Sequence, residues 1–297
     1  MHVIAIFGPT AAGKTGVAVA LAAHLRKRGE DPVAIGCDSI QVYRGLEVLS
    51  GAPTPDERVR LEHRLVGVAE ATEEFSAGQF AELAQAEIDS LLEAGRRPII
   101  VGGTGLYLRA ALAELEMRPP VPAEVRDEVE RDVAERGAEA LHGELPEELR
   151  SGVHPNDLKR ISRLTELTRL GIAPHASGEG LWTEELRRPT FLAGITLDRN
   201  ELRDRIDARV DSMVAAGAAN EARAADEAGA SRTARAAIGF EELLRGDVDA
   251  MKSAQRAFAR RQLTWMRRMP GVELIDRTAM DDEAVAGEIM RRLGEAE

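Results

Sequence analysis

Residues 8–15 read Gly8-Pro9-Thr10-Ala11-Ala12-Gly13-Lys14-Thr15, directly after the apolar run VIAIF and directly before a helical pattern. This G-x-x-x-x-G-K-[ST] sequence constrains the chain more than any other feature. Between a buried strand and a helix, it forms a loop whose backbone N–H groups and helix N-terminus surround phosphate oxygens. Lys14 adds a point charge, and the Thr15 hydroxyl is placed to hold Mg²⁺. The eight residues are therefore candidate ligands of a diphosphate or nucleotide, and the loop does not say whose diphosphate it is.

A strand that is apolar throughout must be buried on both faces, which calls for a parallel sheet covered by helices. Strand-like runs at 3–7, 33–35, 65–68, 99–101, 191–197 and 272–275 alternate with helical patterns at 13–28, 77–94 and 105–112. Further helical patterns fill 200–216, 218–228 and 248–269. Between 119 and 189 the strand signals stop and the sequence turns charge-rich and helical. Pro119, Pro120 and Pro122 mark the entry, and Gly171, Pro174, Gly178 and Gly180 a turn-rich exit. The expected fold is thus α/β, a P-loop NTPase-like parallel sheet core at 1–118 and 190–297 with a helical insertion subdomain at 119–189.

The formal charge is -12 over 297 residues, which argues against non-specific coating of nucleic acid. Two basic islands stand out. Residues 256–268 carry Arg256, Arg260, Arg261, Arg267 and Arg268 with no acid, and residues 158–169 carry Lys159, Arg160, Arg163 and Arg169. They read equally as solvated helix faces and as phosphate contacts. The single cysteine, Cys37, cannot form an internal bridge. No apolar run approaches the roughly 20 residues of a membrane helix, and the start MHVIAIFGPT reads as a strand rather than a leader, so a cytoplasmic protein is expected.

A nucleotide hydrolase would close a second apolar strand with an Asp that orders Mg²⁺ and water. Here the 99–101 run ends in Gly102-Gly103-Thr104-Gly105, and Asp198 and Asp276, which close other runs, read as strand-end caps. Asp38-Ser39 follows the second strand, at the carboxyl end of the sheet where open α/β folds bind ligands. Asp38 is either a turn residue or a carboxylate serving Mg²⁺ or a proton. Thr104 is either a helix cap or a ligand contact beside glycines that let backbone approach closely.

Taken together, these segments resemble the tRNA dimethylallyltransferase (tRNA isopentenyltransferase) family. The blocks are GPTAAGKT (8–15), DSIQVYRGLEV (38–48), EHRLV (62–66), FSAGQF (75–80), VGGTGLYLRAAL (101–112), HPNDLKRISR (154–163), IGFEE (238–242) and RRQLTWMRR (260–268). The resemblance implies transfer of a dimethylallyl group from dimethylallyl diphosphate to N6 of the adenosine 3′-adjacent to the anticodon, position 37 of tRNA. It implies Asp38 as the base, Thr104 as a contact of the amine or the diphosphate, and Arg205 as the arginine on the leaving diphosphate. Implied tRNA contacts are Asp38, Ser39, Ile40, Gln41, Thr104, Arg126, Lys159, Arg160, Ile161, Ser162, Arg163, Ile238, Gly239 and Phe240. Mg²⁺ on Thr15, with Asp38 as a second ligand, and a monomeric enzyme with no membrane partner complete the expectation. The chain departs from the family pattern at Leu49-Ser50-Gly51-Ala52-Pro53, which lacks a lysine, at Phe240 for Tyr, and at Gln255 for Thr. The rivals are a small-molecule P-loop kinase, an adenylate isopentenyltransferase and a nucleotide-switched RNA-binding protein.

Overall fold

The computed structural model describes residues 2–115, 120–172 and 182–296. In chain order its elements are β1 (Val3–Phe7), α1 (Lys14–Lys27), β2 (Pro32–Cys37), β3 (Tyr43–Arg44), α2 (Glu47–Ser50), α3 (Pro55–Arg60), β4 (His63–Arg64), β5 (Ala69–Glu70), α4 (Ala77–Glu93), β6 (Arg97–Gly102) and α5 (Gly105–Leu112). They continue with α6 (Ala123–Arg136), α7 (Ala138–Glu144), α8 (Glu147–Arg150), α9 (Leu158–Arg169), β7 (Thr190–Thr196), α10 (Arg199–Ala215), α11 (Ala218–Glu227), α12 (Arg232–Arg235), α13 (Phe240–Leu244), α14 (Val248–Arg268), β8 (Val272–Asp276) and α15 (Asp282–Ala296). Among the described residues no helix is long and apolar enough to cross a membrane.

The main sheet runs β4-β2-β6-β1-β7-β8 with every pair parallel. Its central strands are buried on both faces, as their composition requires. Val3, Ala5 and Phe7 of β1 enter one core with α4, α5, α13 and α14, while Ile4 and Ile6 enter the other with α1 and α15. The connection leaving β1 runs outward to β2, and the one leaving β6 runs the opposite way to β7. A crevice therefore opens between the carboxyl ends of β1 and β6, the usual ligand position in an open α/β sheet.

Glycines set how closely these strand ends approach. A Cβ on Gly102 would stand 1.9 Å from the Cys37 carbonyl oxygen, and one on Gly103 2.9 Å from the Gly8 oxygen. Gly102 and Gly103, at the end of β6, thus allow the neighbouring backbone to approach closely. The strand expected at 65–68 is also absent. Leu65 and Gly67 have φ of 57° and 66°, so the segment turns between β4 and β5, and β5 pairs with β3 in a separate two-stranded sheet.

The chain divides into two compact units, Met1–Leu115 with Thr183–Glu297, and Glu116–Trp182. The exit falls earlier than the proline and glycine pattern suggested, because Arg187 is bound to the core. Its N–H donates to the Leu112 carbonyl, and its guanidinium pairs with Asp89 and Glu114. Pro119, Pro174, Gly178 and Gly180 lie outside the described residues. The smaller unit is helical, with Val129, Leu141, Leu145, Leu149, Val153, Ile161 and Leu164 as its core.

Gly102→Ala, which must push backbone, should destabilise the protein by about 1–3 kcal/mol. Gly287→Ala, in open space on α15, should be neutral or stabilising by up to about 1 kcal/mol. Urea unfolding of the two variants checks the contrast.

Candidate active site

The phosphate loop takes its shape from two left-handed residues, Ala11 at φ 62° and Gly13 at φ 75°. No side chain caps α1, so its first-turn N–H groups have no cap bond and face the loop. Lys14 folds back to donate from Nζ to the Pro9 carbonyl at 2.8 Å. Behind the loop, the nearly buried Arg277 donates to the Ala12 carbonyl at 2.6 Å and pairs with Asp282 at 3.0 Å. Both press so closely that a Cβ on Gly13 would lie 2.3 Å from Arg277 Nη1, and one on Gly16 2.0 Å from Asp282 Oδ2.

At the end of β2, Asp38 Oδ1 accepts the Ile40 N–H at 2.9 Å and a longer bond from Gln41 N–H at 3.5 Å. This is an Asx turn. Among the described residues Oδ2 accepts no hydrogen bond. Thr104 begins α5 without capping it, and its hydroxyl oxygen lies 3.5 Å from the Ser39 N–H. Asp38, Ser39 and Thr104 thus meet where β2 and β6 end.

The arginine that meets this group is Arg209. Arg205 pairs with Glu201 at 2.7 Å on the same helix. One turn along α10, Arg209 reaches only the Ser50 and Gly51 carbonyls, at 3.4 and 3.5 Å, and its buried Nε has no hydrogen-bond partner. Its seat is the left-handed Gly51, where a Cβ would lie 1.9 Å from Arg209 Nη2. The departing segment 49–53 is therefore where this guanidinium docks. Glu221 holds that segment from its other end by accepting the Val48 and Leu49 N–H groups at 2.9 and 2.8 Å.

The charges are felt mutually. Lys14 is lowered to about 8, first by desolvation, then by Arg209, with Asp38 acting in opposition. Arg209 is lowered by burial, partly offset by Asp38 and Glu57. Burial pushes the Cys37 thiol up, and Asp38 adds to it. Among the described residues no carboxylate bonds to either of these half-buried cations, which leaves their charge open to an anion. Asp198 and Asp276 are caps, as read from the sequence: Asp198 accepts the Asn200 and Glu201 N–H groups, and Asp276 accepts from Thr278. Among the described residues no group of three or more His, Cys, Asp or Glu side chains is placed to hold a metal ion.

Of the residues implied as tRNA contacts, Ile161 and Phe240 are fully buried and Gly239 is buried, so their side chains offer no surface to tRNA. Ile161 packs in the core of the insertion, and Phe240 lies beneath the Arg235 guanidinium. Lys159 and Arg160 are exposed, Ser162 and Ile238 half-buried, Arg163 pairs with Glu166, and Arg126 donates to the Val121 carbonyl. Ile40 packs against the core and Gln41 Nε2 donates to the Gly51 carbonyl at 3.1 Å. In the other island Arg260, Arg261, Arg267 and Arg268 are exposed, whereas Arg256 is paired with Asp207.

Arg209, Arg277, Asp282 and Gln262 were not found from the sequence. Two of them left a trace. Gln262 falls, with Gln255, on the buried stripe of α14 formed by Met251, Ala259 and Met266, and Arg209 sits among the buried Ile206, Val210 and Met213 of α10. A polar residue on a buried stripe was the signal.

Fold and site define an α/β protein with a P-loop sequence, in which Lys14 and Arg209 stand beside Asp38. A family model described as IPP transferase matches residues 41–269. The chain is 38% identical over 294 residues to the tRNA dimethylallyltransferase of Thermobifida fusca (strain YX), covering 94% of this chain and 91% of that one. It is 39% identical over 305 residues to that of Anaeromyxobacter dehalogenans (strain 2CP-C), covering 98% and 100%. The full-length tRNA isopentenylpyrophosphate transferase of Bacillus halodurans superposes with a TM-score of 0.72 at 31% identity, covering 99% of this chain and 96% of that one. A eukaryotic dimethylallyltransferase acting on tRNA shares the fold, with a TM-score of 0.77 at 22% identity over 99% of this chain and 79% of that one. The chain belongs to the IPP transferase family.

Sulfate, which does not titrate in this range, should bind the loop more weakly as pH rises through about 8, because Lys14 loses its proton there. Lys14→Met should abolish this dependence. Arg209→Met should weaken binding and move the dependence to higher pH, since the Arg209 charge is one cause of the lowering. Calorimetry across pH checks all three.

Proposed function

We propose that the chain transfers a dimethylallyl group from dimethylallyl diphosphate to N6 of the adenosine 3′-adjacent to the anticodon, position 37 of tRNA, and releases diphosphate. The observation that carries this reading is the uncompensated pair Lys14 and Arg209 beside Asp38, in a chain whose relatives are named tRNA dimethylallyltransferase.

The donor diphosphate lies in the loop formed by Gly8 to Thr15, where the backbone N–H groups, Lys14 and Arg209 meet its oxygens. As the bond between the allylic carbon and oxygen breaks, negative charge grows on the departing group, and these fixed donors stabilise it. The adenine amine is a weak nucleophile because its lone pair is delocalised into the ring. Its nitrogen forms the new bond to the allylic carbon, and its proton passes to Asp38. The Asx turn fixes the Asp38 carboxylate through Oδ1 and leaves Oδ2 to take the proton. The Thr104 oxygen sits against the Ser39 N–H, leaving its O–H to donate to the amine or the diphosphate.

Thr15 and Asp38 offer hard oxygen ligands, the small donor set that suits Mg²⁺ when substrate phosphates supply the rest. Bound there, Mg²⁺ would neutralise leaving-group charge. Hydrolysis of a nucleotide is disfavoured by the end of β6, where Gly102 and Gly103 stand in place of a metal-ordering acid. For tRNA, the exposed Lys159 and Arg160 of the insertion and the exposed arginines of α14 supply phosphate contacts, and extrusion of a loop base costs little pairing.

Unmodified tRNA incubated with labelled dimethylallyl diphosphate should yield prenylated adenosine. ADP formation from ATP without a prenylated nucleoside would instead make the protein a kinase. Asp38→Asn keeps the turn and removes the base, so single-turnover prenylation should fall roughly 10²- to 10⁴-fold with tRNA affinity nearly unchanged. Arg260→Gln and Arg261→Gln should each make the salt dependence of tRNA binding shallower, by about 0.7 to 0.9 in log–log slope where a phosphate contact is lost.

A further inference from the structure

The crevice between β1 and β6 is crossed by one side chain. Gln262 of α14 is 4% exposed. Its Oε1 accepts the Thr10 N–H of the phosphate loop at 2.8 Å, and its Nε2 donates to the Gly103 carbonyl at 2.8 Å. One neighbour is a donor and the other an acceptor, and the carboxamide serves both without a change of protonation. The fit is tight on the side of the loop after β6. A Cβ on Gly103 would lie 2.2 Å from Gln262 Nε2, and one on Gly105 would lie 2.4 Å from the Trp265 ring, one turn along the same helix.

The two loops have different duties in the proposed reaction. The Thr10 loop holds the leaving diphosphate, and the Gly103 loop carries Thr104, which meets Asp38 and Ser39 on the acceptor side. Transfer requires the amine and the allylic carbon to approach within about 3–3.5 Å, and a misplacement of about 1 Å can cost on the order of 100-fold in rate. The separation of the loops is therefore a catalytic quantity, and no residue previously assigned to the site spans it.

We propose that Gln262 is a positioning residue: it ties the diphosphate loop to the Thr104 loop and so fixes the distance between donor and acceptor. This rests on the prenyl-transfer reading for its kinetic consequence, but the tie itself does not. Gln262→Met keeps the length and loses both hydrogen bonds. Amide exchange at Thr10 should then be at least about tenfold faster while β1 stays protected. In single-turnover prenylation the rate constant should fall about 10- to 100-fold with the dimethylallyl diphosphate half-saturation changed less than about threefold. Gln262→Glu can donate to the Gly103 carbonyl only when protonated, so its rate should recover as pH falls. The Lys14 titration is common to all three proteins, so the ratio of the Gln262→Glu rate to the wild-type rate should rise as pH falls while the Gln262→Met ratio stays flat.

Unchanged exchange at Thr10 in a folded Gln262→Met protein would overturn the tie. An unchanged rate constant, or a loss that appears only in half-saturation, would overturn the positioning role. Faster exchange at Thr10 in a protein whose wild type prenylates no tRNA would refute the reaction and leave the tie standing.

Discussion

Two cations, Lys14 and Arg209, sit half-buried at one mouth without a carboxylate among the described residues bonded to either, and much of the surrounding structure keeps them there. Each would relax by finding an acid or water, since burial disfavours the charged form of both. The chain prevents this with backbone carbonyls, which satisfy donors without cancelling charge. Pro9 takes the Lys14 ammonium, and Ser50 and Gly51 take the guanidinium. Those two carbonyls end α2, a single turn too short to stand alone, and Glu221 anchors its first N–H groups from another helix. Asp38 lies close enough to moderate both charges and is held off by its own turn.

A second constraint is how closely backbone approaches backbone around this charge. Gly102 against Cys37 and Gly103 against Gly8 bring three strand ends within van der Waals reach, so that the ends of β1, β2 and β6 form one surface. Arg277 acts from the far side. By donating to the Ala12 carbonyl it orients the peptide unit whose N–H belongs to Gly13, and that N–H points away from the arginine into the loop. The ion pair with Asp282 keeps Arg277 in place and ties the start of α15 to the phosphate loop.

Much of this was legible in the sequence because it is periodic or local. The apolar run 3–7 could only be a strand buried on both faces, and the helices at 77–94 and 105–112 carry their apolar spacing openly. The phosphate loop is local by nature. What was not legible depends on contacts distant in the chain. Arg277 meets Ala12 across 265 residues and Gln262 meets Thr10 across 252, and no window of sequence holds both partners. The run 65–68 misled for another reason. Leu65 faces a core and Val68 is exposed, and Leu65 and Gly67 take left-handed conformations that break the strand, though nothing in its identity forces Leu65 to do so. Arg205 and Arg209 lie one turn apart, and only the packing of α10 distinguishes them: Arg209 falls between the buried Ile206 and Met213, whereas Arg205 lies at the margin and takes Glu201.

The two readings of Asp38, turn residue or base, turn out not to compete. A carboxylate on a flexible loop would swing between Lys14, Arg209 and water, and a base must stay where the proton leaves. The Asx turn consumes one oxygen and in doing so fixes the other. Asn would form the same turn equally well, so local geometry alone does not call for Asp at this position. The charge does: Lys14 and Arg209 both feel Asp38, and an uncharged amide would remove the carboxylate that acts on both cations, leaving Glu57 to act on Arg209. Asp38 thus offsets the two cations electrostatically, and in the proposed reaction its oxygen pair would be divided between holding the turn and accepting the proton.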